Sequence, residues 1–240
     1  MTRFARLTRP LFLLAAGLGA LAATAQTGAA PAAKSTKNAN WRAAVTATEG
    51  GHLIGNPDAP SKLVEYMSYT CSHCADFART GEGAIKLLYV PTGKVSYEIR
   101  HIVRDPVDLT AALLTHCGDP KKFPANHEAF ILSHDDWMAK ARKTTQAQQT
   151  RWSFGTLQSR SQAIASDLDF YDIMERRGYS RVDTDRCLAD EGLAKTLAMR
   201  TRADMERFGL RGTPSFVLGG KRLDATHDWG ALQPHLDELF

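Results

Sequence analysis

The chain has 240 residues, 43% of them hydrophobic and 23% charged. That balance excludes a disordered chain and suffices for one larger domain or two small ones with a proper core. Arg3, Arg6 and Arg9 account for three of the four net positive charges. The rest of the chain lacks the basic stripe that nucleic-acid binding requires, so no nucleic-acid partner is expected.

The N-terminus has three parts: the three arginines, the apolar run Leu11 to Leu21, and Ala23-Thr24-Ala25 ahead of Gln26. This is the pattern of a secretory signal peptide over residues 1–25, cleaved near Ala25 and Gln26. The apolar run falls short of the ~20 residues a membrane span needs. A bacterial protein exported this way reaches the periplasm, where cysteine pairs persist as disulfides.

Residues 26–50 are rich in Ala, Lys and Asn at the start and are expected to form a flexible linker, although Trp41 to Ala47 also suits a short helix or strand. Structure proper is expected from Gly51, with a short strand at His52 to Ile54 closed by the turn Gly55-Asn56-Pro57-Asp58. Lys62 to Ser68 suits a buried strand, and a helical stretch follows to about Val90. Val95 to Val103 alternates and is β-branched, a second strand.

From Asp108 to about Phe208 the spacings are helical, notably over Phe130 to Met138, Phe154 to Ile173 and Leu188 to Met205. Arg211 to Leu218 returns to strand, Gly219-Gly220-Lys221 turns, Arg222-Leu223 opens a partner strand, and Trp229 to Phe240 closes as a helix. The order is β-α-β, a helical block, then β-β-α. This predicts an α/β sheet interrupted by an inserted helical subdomain, with 51–107 and 209–240 flanking 108–208.

Cys71 and Cys74 form a C-x-x-C motif at the junction of strand and helix. Unpaired N–H groups and the helix dipole favour a thiolate at Cys71, and His73, when protonated, adds a positive charge beside it. Together they lower a nucleophile's pKa well below the free value of ~8.5. A stabilised thiolate favours the reduced pair and so makes the disulfide a better oxidant. The same spacing serves as a zinc knuckle or an inert bridge. A second knuckle is missing, however, because Cys117 and Cys187 stand alone in sequence, so no metal is expected.

The run Leu63 to Cys74 (LVEYMSYTCSHC) resembles the active-site strand and motif of the DsbA family of periplasmic thiol-disulfide oxidoreductases, and Gly212-Thr213-Pro214-Ser215-Phe216 resembles that family's cis-proline loop. The resemblance covers the chain from about Gly51 and implies a thioredoxin-like fold with an inserted helical subdomain. It implies that Cys71 is the exposed nucleophile, Cys74 its buried partner and His73 the stabiliser of the thiolate. By the same analogy Glu65 relays the Cys74 proton; otherwise the strand's alternation turns this acid to solvent.

Pro214 would be cis, presenting the Thr213 backbone to a substrate strand in an apolar groove edged by Tyr69 and Phe216. Cys117 and Cys187 would form a structural disulfide, the alternative being two free buried thiols. The implied activity is oxidation of reduced, cysteine-containing secreted proteins by a monomer that uses no cofactor. A membrane quinone-linked partner of the DsbB type would reoxidise it. The family's best-known oxidase has Pro where this chain has Ser72, and Thr213 is common among isomerases, so isomerase or reductase activity is the alternative. A non-catalytic metal- or protein-binding module is a third.

Overall fold

A computed structural model describes residues 40–240; the expected signal peptide and the linker up to residue 39 lie outside the described residues. The sheet has six strands: β1 (Val45–Ala47), β2 (Gly51–Ile54), β3 (Ser61–Met67), β4 (Val95–His101), β5 (Ser215–Leu218) and β6 (Lys221–Arg222). Their spatial order is β1-β2-β4-β3-β5-β6. β3 and β4 run parallel, and every other neighbouring pair is antiparallel. Central strand β3 is covered on both faces, which explains its nearly unbroken run of buried Leu63, Val64, Tyr66 and Met67. Each such side chain contributes about 1.5–3 kcal/mol by leaving water.

α1 (Ser72–Phe77) follows β3 and continues through two π turns, Ala78–Glu82 and Ile85–Tyr89. Between β4 and β5 lie α2 (Pro106–Thr115), α3 (Phe123–Leu132), α4 (His134–Ala141), α5 (Gln146–Ser153), α6 (Leu157–Asp167), α7 (Phe170–Arg176), α8 (Arg181–Leu188) and α9 (Glu191–Phe208). α10 (Trp229–Asp237) follows β6. This is the thioredoxin-like arrangement with an inserted helical subdomain. Trp137, Phe130 and Phe170 fill the insertion, and Phe77, Tyr97 and Phe216 fill the space at the sheet.

Several expectations need correction. The linker does not extend to residue 50: β1 pairs with β2, aligning Val45 with Ile54, and so uses hydrogen-bonding groups along an otherwise open edge. Trp41 lies against the Gly93 turn, where φ is +71° and a Cβ would stand 2.9 Å from the indole nitrogen. The expected helical stretches are interrupted at Ser133, at Asp169 (φ +58°) and at Asp190, which caps α9 by accepting from the Leu193 N–H. Continuous apolar spacing hid these breaks. α5 falls within the expected helical block but between its apolar stretches; none of its residues is buried, and a Thr145–Gln148 capping box starts it.

Candidate active site

β3 delivers the chain to Ser68, Tyr69 and Thr70, and α2 holds these residues in place. The Ser68 hydroxyl donates to Asp108 Oδ2 at 2.6 Å, and the Tyr69 N–H donates to Asp108 Oδ1 at 2.8 Å. The Thr70 hydroxyl donates to Asp105 Oδ2 at 2.7 Å. Asp105 also caps α2 through the Asp108 N–H. Burial pushes the Asp108 carboxyl up to about 7, against the hydrogen bonds that favour its charge. Neither aspartate figured among the sequence candidates. Asp105-Pro106 followed by Asp108 is a helix-start signature, and the chain here spends it on fixing the approach to Cys71.

Cys71 is the N-cap of α1, in extended conformation, and its carbonyl accepts from the N–H groups of Cys74 and Ala75 at 3.2 Å. Cys71 and Cys74 are free thiols, 5% and 1% exposed. The expected open nucleophile is therefore largely covered. The Thr213 carbonyl lies over it and accepts from the Cys71 thiol at 3.1 Å. The Thr213–Pro214 peptide is cis. Register completes the placement, because β5 pairs Ser215 with Tyr66 and Phe216 with Glu65 on β3.

The two sulfurs differ in electrostatics. Hydrogen bonding from the Cys74 thiol, opposed by burial and aided by Thr213 and by the Cys74 and His73 N–H groups, brings Cys71 down to about 4. Burial pushes Cys74 well up, and its contact with Cys71 and the charge of Glu65 act in the same direction. His73 is exposed and supplies its backbone N–H. The Thr213 hydroxyl is buried without a partner of its own among the described residues, a donor available to a thiolate.

Glu65 is 1% exposed, so strand alternation does not turn it to solvent. Tyr97 donates its hydroxyl to Oε2, while Oε1 has no partner among the described residues. Burial and the nearby charge of Glu82 push the Glu65 carboxyl well above the usual range. Burial also opposes charge on Glu82, but His127 and Lys86, at 2.8 and 2.9 Å, hold it below that range.

Tyr69 and Phe216 do not edge a substrate groove; both are fully buried. The Tyr69 hydroxyl meets His127 Nδ1 at 2.8 Å, and its ring lies 5.3 Å from that of His101. Phe216 packs on Phe77 at 4.7 Å. Both support the site from below, because each points into the layer between sheet and helices. Cys117 and Cys187 are joined in a disulfide with a Cα separation of 5.6 Å, linking the end of α2 to α8.

Histidines that look scattered in the sequence meet in the fold. His52 stacks on Phe123 at 3.9 Å, His116 lies 4.6 Å from His52 and 5.0 Å from His101, and His127 stacks on Phe123 at 5.7 Å. Burial lowers His52 to about 4 and His116 to about 3, and takes His101 well below the ordinary value. Among the described residues, no group of three or more His, Cys, Asp or Glu side chains is placed to hold a metal ion.

A family model described as thioredoxin matches residues 47–238. The crystal structure of a protein-disulfide isomerase from Novosphingobium aromaticivorans is 46% identical, with a TM-score of 0.76, and the match covers 79% of this chain and 97% of that one. Wolbachia pipientis alpha-DsbA1 shares the fold at 22% identity and a TM-score of 0.59, over 79% of this chain and 90% of its own. A putative protein-disulfide oxidoreductase of Rickettsia bellii is 26% identical over 173 residues, 72% of this chain and 58% of the relative. That of Rickettsia typhi is 28% identical over 70% of this chain and 54% of its own length. The chain thus spans little more than half the length of these two rickettsial relatives.

Proposed function

The chain belongs to the thioredoxin family, and from that premise we propose that it is an exported thiol-disulfide oxidoreductase that introduces disulfide bonds into secreted or periplasmic proteins. The observation that carries the reading is the unequal thiol pair: a low-pKa Cys71 facing the Thr213 carbonyl, and a buried, high-pKa Cys74 behind it.

In the oxidised enzyme a substrate thiolate attacks Cys71 Sγ. The Cys71–Cys74 bond breaks, Cys74 leaves as a thiolate, and a mixed disulfide forms. Glu65, held protonated by burial, supplies the proton that neutralises Cys74. A second substrate thiolate then attacks the substrate sulfur of the mixed disulfide and expels Cys71. Cys71 is a good leaving group because its thiolate is stable. Two substrate thiols become one disulfide, and the enzyme's disulfide becomes two thiols. The substrate backbone pairs with Thr213 beside cis-Pro214.

In this reading residues 1–25 are the export signal and 26–39 a linker. The enzyme acts as a periplasmic monomer without a cofactor, and a quinone-linked membrane partner of the DsbB type reoxidises it. Cys117–Cys187 is structural, and His73 acts through its backbone. Isomerase or reductase activity is the second reading, favoured by the 46% identity to the protein-disulfide isomerase of Novosphingobium aromaticivorans.

The deciding experiment has two parts. The oxidised chain and its Cys71→Ser variant are incubated with a reduced, unfolded protein, and the reduction potential of the active pair is measured against glutathione. The oxidase reading requires exchange that the variant loses and a potential well above thioredoxin's ~−270 mV. A potential near thioredoxin's selects the second reading, and full activity in Cys71→Ser overturns both.

A further inference from the structure

His227 lies between β6 and α10, 13 residues beyond the cis-proline, and its Nδ1 is 2.8 Å from the Pro214 carbonyl oxygen. A carbonyl only accepts, so Nδ1 carries the proton. Its neighbours fix the histidine from both sides. Thr226 is buried, with its hydroxyl on the Asp224 carbonyl at 3.1 Å. Asp228 caps α10 by accepting from the Ala231 N–H at 2.9 Å.

Just before them Ala225 has φ +53°, a left-handed conformation that L-residues seldom adopt. Strain of this kind persists only where the surroundings over-determine it. Here it turns the chain so that His227 reaches back to the proline loop.

On its outer side that loop borders a cleft of about 390 Å³, lined by Gly212, Ser215 and His227 among others. The loop is therefore held from within by β5 pairing to β3, and the His227 hydrogen bond ties its outer side to the start of α10. The Pro214 carbonyl belongs to the peptide unit next to the one whose carbonyl meets Cys71.

We propose that His227 is a positioning residue for disulfide exchange: its Nδ1–H anchors the Pro214 carbonyl and so holds the Thr213 backbone in register for an incoming substrate strand. The role rests on the exchange reading above. It concerns backbone pairing with substrate rather than the chemistry at sulfur, so it acts on KM more than on kcat. Leucine in place of His227 removes the donor. Asparagine keeps one, because its Nδ2 occupies nearly the position of histidine Nδ1. His227 is exposed, so both variants are expected to fold.

The test compares the oxidised full chain, His227→Leu and His227→Asn on a reduced two-cysteine peptide, with kcat and KM measured separately and folding checked by thermal melting. His227→Leu should raise KM about fivefold, the worth of one net hydrogen bond, with kcat within about twofold of the parent. His227→Asn should recover most of that loss. The role is overturned if His227→Leu leaves KM unchanged in an active parent, or if His227→Asn is as impaired as His227→Leu. A parent chain with no exchange activity would overturn the exchange reading itself, and this role with it.

Discussion

Cys71 and Thr213 are 142 residues apart in the chain, yet the thiol of one donates to the carbonyl of the other at 3.1 Å. The contact joins the start of α1 to the start of β5. It places the low-pKa sulfur, the unpartnered Thr213 hydroxyl and the backbone at cis-Pro214 within one small volume.

The thiolate absorbance of the reduced chain should titrate with a midpoint near 4. The folded value lies below the ordinary thiol value of about 8.5. The reduced fold therefore gains stability that is fully present above the unfolded value and lost as pH falls through the folded one. The melting temperature of the reduced form, relative to the oxidised, should fall as pH drops from about 8.5 to about 4. A midpoint close to that of a free thiol would contradict the site's electrostatics.

Thr213→Val removes the hydroxyl that favours the Cys71 thiolate but leaves the carbonyl in place. The thiolate midpoint should rise and the reduction potential should fall by about 30 mV for each tenfold loss of thiolate stability. Parallel titration and glutathione equilibration of the variant would check both shifts, and an unmoved midpoint would rule the hydroxyl out.

Glu65→Gln keeps a side chain of the same shape for Tyr97 but has no proton to give. Formation of the mixed disulfide and reoxidation, the steps that move a proton at Cys74, should slow by roughly 10²-fold and lose their dependence on pH, while the low pKa of Cys71 persists. Stopped-flow rates across pH, set beside the Cys71 titration, separate this from general damage to the fold.

The buried histidines make a prediction about acid. Their folded values lie below the ordinary value of about 6.5, so the stability they contribute is present above it and lost as pH falls towards their folded values. The melting temperature should decline between about 6.5 and 4, and His52→Phe, which keeps the stack on Phe123, should flatten that decline. An equal decline in the variant would place the acid sensitivity elsewhere.

The Cys117–Cys187 bridge closes a separation of 70 residues. In the loop-closure account, the double Cys117→Ser, Cys187→Ser variant should lose about 4 kcal/mol in denaturant unfolding. Its Cys71 titration should be unmoved if the bridge serves stability alone.

The C-x-x-C motif, the strand leading to it and the Thr213-Pro214 pair were legible because each depends on local sequence: spacing, β-propensity and a proline. Glu65 was noticed for the same reason, as an acid within an apolar strand. Asp105, Asp108 and Glu82 escaped because their roles depend on contacts across the helical insertion. The histidine cluster escaped too, since its members come from β2, β4, α3 and the end of α2. Tyr69 and Phe216 were misplaced for a related reason: adjacency to the motif says nothing about which way a side chain points. The helix breaks at Ser133 and Asp190 lie within stretches whose apolar spacing continues across them.

The two outermost strands, β1 and β6, have three and two residues. Long open edges invite neighbouring chains to add to a sheet and grow into aggregates. Under the proposed exchange function the chain would meet that hazard at every encounter, since unfolded clients offer unpaired strands of their own. With both edges this short, a client finds little ladder to extend at either side of the sheet. On that reading the backbone beside Pro214 is the landing place, and a client bound there would lie against the sulfur of Cys71.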